Sequence, residues 1–302
     1  FVTDGISGGQ NGRLVRIDNI QDSGAATFTQ VGPTNLVSPL DIVLDGNFAL
    51  ICEYSTVAGG GGIRRIDLTN GTATTLVTGL NFPSSMVLDT TAGRRLLYVT
   101  ENLVGFSGAQ GGVLRINLND PNFVAGGGPV ANSAYTPIPP QGTDPIYANP
   151  FDLAIDPFGN IVVTEGLTLN VVDGTFTAPP GNGRIRVIQR NGPTDPLTSN
   201  TSRMVLTGLT GTRGPSLIAE DAAGAANTVF FVEGSGFASS LRQLTFQNND
   251  GGIFRHLILD QGQQNPLDAL FDPGSATPLV PTNVKYTVQF NGGAQGAVRD
   301  VR

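Results

Sequence analysis

The chain repeats itself, and no other feature constrains its fold as tightly. The stretch NPFDLAIDPFGNIVVTEG, Asn149 to Gly166, returns in pieces along the sequence. Its first segment recurs as SPLDIVLDG from Ser38 and NPLDALFDP from Asn265, with looser copies FPSSMVLDT from Phe82 and GPSLIAEDA from Gly214. Its second segment, a β-branched run ending in an acid, recurs as FVTDG, LICEY, LYVTEN, IVVTEG and FFVEG. Asp4, Glu53, Glu101, Glu165 and Glu233 thereby take equivalent places. A third piece follows a glycine and reads GRLVRID, GIRRIDL, GVLRINL and GRIRVIQ, with SLRQLTF and GAVRDVR less alike. A fourth reads ATFTQVG, TATTLVTG, RMVLTGL and IFRHLIL. Each piece has the length of one strand and is flanked by Asn, Gly or Thr turn signals.

Successive acids lie 49, 48, 64 and 68 residues apart. That is the spacing of propeller blades, about 40 to 50 residues, plus insertions. No stretch sustains a helical period. The sequence therefore predicts an all-β chain folded as a single β-propeller domain over residues 1–302, with six four-stranded blades. A ring of five blades with a decorated end is the alternative. The third-piece strands begin near Gly12, Gly62, Gly112, Gly183, Ser240 and Gly296. On this reading the first blade lacks its inner strand and the last its outer one. Either a segment such as GAVRDVR crosses over to complete the first blade, or a partner supplies a strand. Two insertions, near 119–148 and 167–182, are expected on a rim. Long loops on a rigid scaffold are where binding residues gather, and loop packing is the competing role.

Composition narrows the function classes. A net charge of -7 opposes a nucleic-acid partner, which needs Lys and Arg to neutralise phosphate, and opposes an anionic membrane surface for the same reason. No apolar run approaches the length of a membrane span. Lys285 is the single lysine and Cys52 the single cysteine, so no internal disulfide can form. A surface of Thr, Asn, Gln, Ser and Gly suits an extracellular or periplasmic protein, and a start in mid-strand suggests a leader already removed.

Two acidic sets are the candidate site residues. Asp41, Asp152 and Asp268 of the first piece could converge at a channel mouth and hold a hard cation such as calcium through oxygen ligands. Alternatively each caps a turn by accepting backbone N–H bonds, which is the preferred reading because the feature repeats with the fold. Asp4, Glu53, Glu101, Glu165 and Glu233 form a structural acid ring, with Arg16, Arg65, Arg115 and Arg186 as cross-strand mates. Glu101 followed by Asn102 is the place where an acid and an amide stand together at a strand end, which makes the pair the candidate metal or substrate contact. His256 belongs to an outer strand, and Cys52 sits inside an apolar run without a histidine neighbour, so neither supports nucleophilic or lyase chemistry. Asn70 and Asn200 open glycosylation-type triplets.

The sequence NPFDLAIDPFGNIVVTEG followed by GRIRVIQRNG resembles the NHL repeat and its relatives in the senescence-marker-protein/gluconolactonase superfamily, over essentially the whole chain. The resemblance implies a six-bladed propeller and, in the hydrolytic branch, one divalent metal, usually calcium, held in the channel by Glu, Asn and Asp. The family's aspartate directly follows a proline, whereas here Leu40, Ser84, Phe151, Ser216 and Leu267 do, with acids one place later at Asp41, Asp152 and Asp268. A one-residue shift in a strand turns a side chain to the other face. Two functions stay open. One is a binding or assembly scaffold taking a protein or small-molecule ligand at the rim or channel, or forming homo-oligomers or filaments through its incomplete blades. The other is a calcium-dependent lactonase or esterase.

Overall fold

The computed structural model describes residues 1–4, 12–18, 27–55, 59–102, 111–128, 134–138, 147–156, 159–166, 168–169, 176–177, 183–190, 201–209, 212–218, 227–233, 239–246, 253–263, 268–271, 284–287 and 300–301; beyond Leu209 only strand backbone is described. The chain divides into two compact units, Phe1–Ala109 with Leu114–Pro137, and Gln110–Val113 with Ile138–Arg302.

The described residues are almost entirely strand, as the repeat predicts. The first sheet joins β1 (Val2–Asp4), β2 (Gly12–Asp18) and β3 (Thr27–Leu36). The second runs β4 (Pro39–Asp45), β5 (Phe48–Glu53), β6 (Gly61–Asp67) and β7 (Ala73–Leu80), each hydrogen-bonded to the next. The third runs β8 (Pro83–Asp89), β9 (Leu96–Glu101), β10 (Gly112–Asn117) and β11 (Tyr135–Ile138). Its outer strand β11 comes from the segment read as a rim insertion, where sequence showed no fourth piece.

The fourth sheet runs β12 (Pro150–Ile155), β13 (Ile161–Glu165), β16 (Gly183–Gln189) and β17 (Thr201–Leu209). A two-stranded ladder, β14 (Thr168–Leu169) and β15 (Phe176–Thr177), lies within its second insertion. The fifth runs β18 (Thr212–Ile218), β19 (Asn227–Glu233), β20 (Ser239–Phe246) and β21 (Ile253–Gln263), and the sixth β22 (Asp268–Phe271), β23 (Val284–Thr287) and β24 (Asp300–Val301). All named pairings are antiparallel. The segment GAVRDVR contributes β24 to the sixth sheet, pairing with Lys285 and Val284.

Why the first three sheets stack is legible in β5, the second strand of the middle one. In β5 the residues Ala49 and Ile51 pack with Leu14, Leu36 and Ile66 against the first sheet. Leu50 and Cys52, on the opposite face, join Met86, Leu97, Val99 and Leu114 of the third. A strand covered on both faces reads as a continuous apolar run rather than an alternation, and FALIC, LLYV and IVV have that character. Glycine makes the close approach possible. A Cβ added to Gly12 would lie 2.4 Å from Pro39 Cδ, and one added to Gly61 would lie 2.3 Å from Pro83 Cδ. The glycine that opens β2, or β6, is thus the seat of the following sheet's leading proline.

Candidate functional site

In three of the repeats the leading proline is preceded by a residue in the left-handed region. Ser38, Phe82 and Asn149 have φ of 39°, 47° and 48°. Such values strain a non-glycine residue, and here they recur at equivalent places before Pro39, Pro83 and Pro150. The strain is held by the acid at the end of the neighbouring strand. Pro39, Pro83 and Pro150 stand opposite Glu53, Glu101 and Glu165 in the ladder. Each acid accepts the backbone N–H two residues before its proline: Glu53 from Val37 at 2.9 Å, Glu101 from Asn81 at 2.7 Å and Glu165 from Ala148 at 2.8 Å.

The residue after each acid closes the turn from the other side. Tyr54 N–H donates to Ser38 O, Asn102 N–H to Phe82 O and Gly166 N–H to Asn149 O, each at 3.2 Å. Three copies of one motif result, in which a buried acid and the next N–H clamp a strained turn.

Two of the acids are braced by arginine. Arg64 Nε donates to Glu53 Oε2 at 3.1 Å, and Arg186 Nε donates to Glu165 Oε1 at 2.5 Å. The brace stands two residues beyond the acid's ladder partner, since Glu53 faces Gly62 and Glu165 faces Arg184. Residues two apart share a face, so the pairs are diagonal neighbours. Arg186 is fully buried, lies 4.5 Å over the Tyr147 ring and donates through Nη1 to Ser202 Oγ at 3.2 Å.

Of the arginines expected as mates, Arg186 is placed against its acid. Arg65 faces Leu50 in the ladder and lies 4.8 Å over the Phe48 ring, leaving Glu53 to Arg64. Arg16 pairs with Asp18 at 2.9 Å, and Arg115 donates to Thr136 Oγ1 at 3.0 Å.

Glu101 is the acid without a brace. Aligning GGVLRIN with GGIRRID places Leu114 where Arg64 stands, and Leu114 belongs to the apolar cluster between sheets. Glu101 is 5% exposed, and among the described residues its one hydrogen bond comes from Asn81. Burial pushes its carboxyl up to about 7, with the Asn81 N–H acting in the opposite sense. Tyr135, on β11, has its phenol raised by burial and then by the Glu101 charge, and it donates to Gly127 O at 3.3 Å. Asn102 is 4% exposed, and its Nδ2 makes no hydrogen bond among the described residues. A carboxyl titrating near neutrality beside a buried amide can accept or deliver a proton and orient a polar ligand.

The aspartates one place after the proline do different work. Asp41 Oδ2 accepts Ser85 Oγ–H at 2.8 Å and Met86 N–H at 2.6 Å, while Oδ1 accepts Ile42 N–H at 2.7 Å. Asp41 therefore ties β4 of the second sheet to β8 of the third. Burial raises its carboxyl, opposed by the Met86, Ser85 and Ile42 bonds in that order. Asp152 makes the matching bond to its own neighbour, Leu153 N–H, at 2.8 Å. A register shift falls between Pro39 and Asp41 and again between Pro150 and Asp152. A bulge there resets the alternation that the one-residue displacement argument assumed to be regular.

In the fifth sheet Glu233 faces Thr212, and the register shift between Arg213 and Ser216 spans Pro215, which lacks an N–H for the ladder. Asp4 ends β1 opposite Arg13, Asp268 opens β22 opposite Thr287, and His256 lies on the outer strand β21 opposite Leu244. The side chains of Asp4, Glu233, Asp268 and His256 lie outside the described residues. Asn70 occupies an exposed turn after β6, accepting Thr72 N–H at 2.8 Å, whereas Asn200 lies outside the described residues.

Calcium was the expected ion. Among the described residues no three His, Cys, Asp or Glu side chains come together to hold a metal, and the Asp41 oxygens are taken up by hydrogen-bond donors. Sequence reasoning missed a buried network at the turn DPFGN. Asp156 accepts Asn160 N–H at 2.8 Å and Asn160 Nδ2–H at 2.7 Å, Arg190 N–H donates to Asn160 Oδ1 at 2.8 Å, and Arg190 Nε–H donates to Gly159 O at 2.8 Å. Its signal was the Asp-x-x-Gly-Asn spacing itself.

Comparison with solved structures places the chain among β-propellers. A nidogen/laminin complex structure is similar over 93% of this chain and 83% of that one, at 16% identity and a TM-score of 0.57. A hydrazine synthase from Kuenenia stuttgartiensis matches over 95% of this chain and 75% of its own, at 14% identity and a TM-score of 0.54. A gluconolactonase from Xanthomonas campestris matches over 93% and 89%, at 12% identity and a TM-score of 0.51. At such identities the likeness establishes the fold alone: this is an all-β protein of the β-propeller class. No protein-family model and no curated protein sequence matches the chain.

Proposed function

We propose that this propeller is a binding or assembly module acting outside the cell or in a periplasm. The observation that supports it most directly is the use to which the acids are put. Glu53, Glu165 and Asp41 spend their carboxylate oxygens on backbone N–H groups, arginines and a serine, so these repeated acids are framework. Among the described residues the first and sixth sheets hold three strands each, with β1 and β24 at an edge, and sheet edges are where strand addition by a second copy or another chain takes place. A nidogen/laminin structure, named for a protein complex, is consistent with that use of the fold.

Light scattering across a concentration series tests self-association. A mass that rises with concentration supports assembly through the edges, and a constant monomer mass removes the self-assembling form.

A second reading is a lactonase- or esterase-like hydrolase of the senescence-marker-protein/gluconolactonase kind. It draws on Glu101, whose carboxyl sits near 7 and so suits proton transfer. Metal content of natively purified protein, with hydrolysis of a lactone panel by wild type and Glu101→Gln, decides it. Bound calcium together with a Glu101-dependent activity would favour the hydrolase, and inactivity of the wild-type protein would remove it.

A further inference from the structure

The three clamped turns are built alike and are not equally secured. At Asn81–Pro83 the left-handed residue is Phe82, a bulky side chain for which positive φ is more costly than for serine or asparagine. At that same turn the acid has no arginine among the described residues, and Leu114 stands in the brace position. The bulkiest left-handed residue and the acid without an arginine brace thus coincide. Asn81 also carries the connection from the second sheet, since Gly59 N–H donates to Asn81 Oδ1 at 2.9 Å. The neighbouring Asn102 side-chain nitrogen is buried without a hydrogen bond among the described residues, and a buried polar group in that state favours conformations that supply a partner.

We propose that Asn81–Pro83 is a built-in opening point of the first unit: a turn that releases ahead of its two counterparts and uncovers Glu101 and Asn102 together. Release breaks the Asn81 N–H bond to Glu101 and the Asn102 N–H bond to Phe82 O, while the β8–β9 ladder beyond Pro83 holds. The turn then acts as a gate over Glu101, whose carboxylate accepts only the Asn81 N–H among the described residues, and over the Asn102 side-chain amide, whose nitrogen has no hydrogen bond among them. This inference stands apart from the binding reading, because the opening is measured without any ligand.

Residue-resolved hydrogen exchange on the whole chain, under native conditions, tests it. The Asn81 and Asn102 amides are expected to exchange roughly tenfold faster than Val37 and Tyr54, or Ala148 and Gly166, after correction for intrinsic rates. Arg64→Leu should bring Val37 and Tyr54 to the Asn81 rate by removing the brace from Glu53. Leu114→Arg should slow Asn81 and Asn102. Equal protection of the three turns in the wild-type protein overturns the proposal. Arg64→Leu that leaves Val37 protected overturns it as well, and this variant decides the matter even where Leu114→Arg fails to fold.

Discussion

Glu101 accepts the Asn81 N–H at 2.7 Å with no guanidinium among the described residues beside it, whereas Glu165, its counterpart in the following repeat, is paired with the fully buried Arg186. Leucine at position 114, where position 64 carries arginine, separates Glu101 from the braced acids, and burial raises the Glu101 carboxyl to about 7.

That separation sets a pH dependence whose sign is unusual for a carboxylate. Burial lifts the Glu101 carboxyl from the ordinary 4.5 to about 7. Between those values the folded form holds a proton that the unfolded form has released, so this group's contribution lowers stability as pH rises through the window. The loss is complete above the folded value. At about 1.4 kcal/mol per unit the full excursion is about 3 kcal/mol. Glu101→Gln keeps an acceptor for Asn81 and removes the titration. Denaturant unfolding at pH 5 and pH 8 should show the variant gaining on wild type by about that amount at the higher pH. An equal difference at both values would mean that Glu101 is already ionised at pH 5.

Arg186 supports a second prediction. Removing one member of a buried pair leaves an uncompensated charge, at a cost of about 3 to 5 kcal/mol. Arg186→Leu should therefore lower the melting temperature sharply, and adding Glu165→Gln should restore some of the loss. Strictly additive effects would show that the two side chains do not act as a pair.

How much of this was legible in the sequence depends on whether a contact repeats. Most strands, their order and the acids that end β1, β5, β9, β13 and β19 follow from period and turn chemistry, because each is written several times. The arginine mates were harder. Arg64 and Arg65 are adjacent, and only the ladder, with Gly62 opposite Glu53, shows which of them shares the acid's face. Leu114 carried no signal until that register was known. The left-handed residues before the prolines were hidden for another reason: Ser38, Phe82 and Asn149 share no chemistry, and what they share is a backbone position fixed by the tertiary clamp.

Asp41 yields a third prediction, about a contact between sheets. Asp41→Ala strands the Met86 and Ile42 N–H groups and the Ser85 hydroxyl, and hydrogen bonds to a charged acceptor contribute about 1.5 to 3 kcal/mol each. Asp41→Asn retains an acceptor oxygen, and the raised carboxyl shows that burial already disfavours the charge. The alanine variant should lose several times more stability than the asparagine variant in thermal unfolding. Equal losses would show that the charge, rather than the acceptor geometry, holds the sheets.

The last prediction concerns the glycine seats. Gly61 has room for no side chain, because an added Cβ would stand 2.3 Å from Pro83 Cδ and 3.0 Å from Leu80 O. Gly46, at φ of 60°, has nothing within 4 Å of such a Cβ and would carry only the backbone strain of a left-handed alanine. Gly46→Ala should cost about 1 to 2 kcal/mol. Gly61→Ala should reach or exceed the upper end of the overpacking range, about 3 kcal/mol, since both neighbours are rigid. Pro83→Ala removes the ring that the new methyl group would strike, so the double variant should be more stable than the sum of the two single effects predicts. Coupling of that sign in thermal or denaturant unfolding would identify the glycine–proline contact as the joint between second and third sheets; simple additivity would place the cost of Gly61→Ala in its own strand.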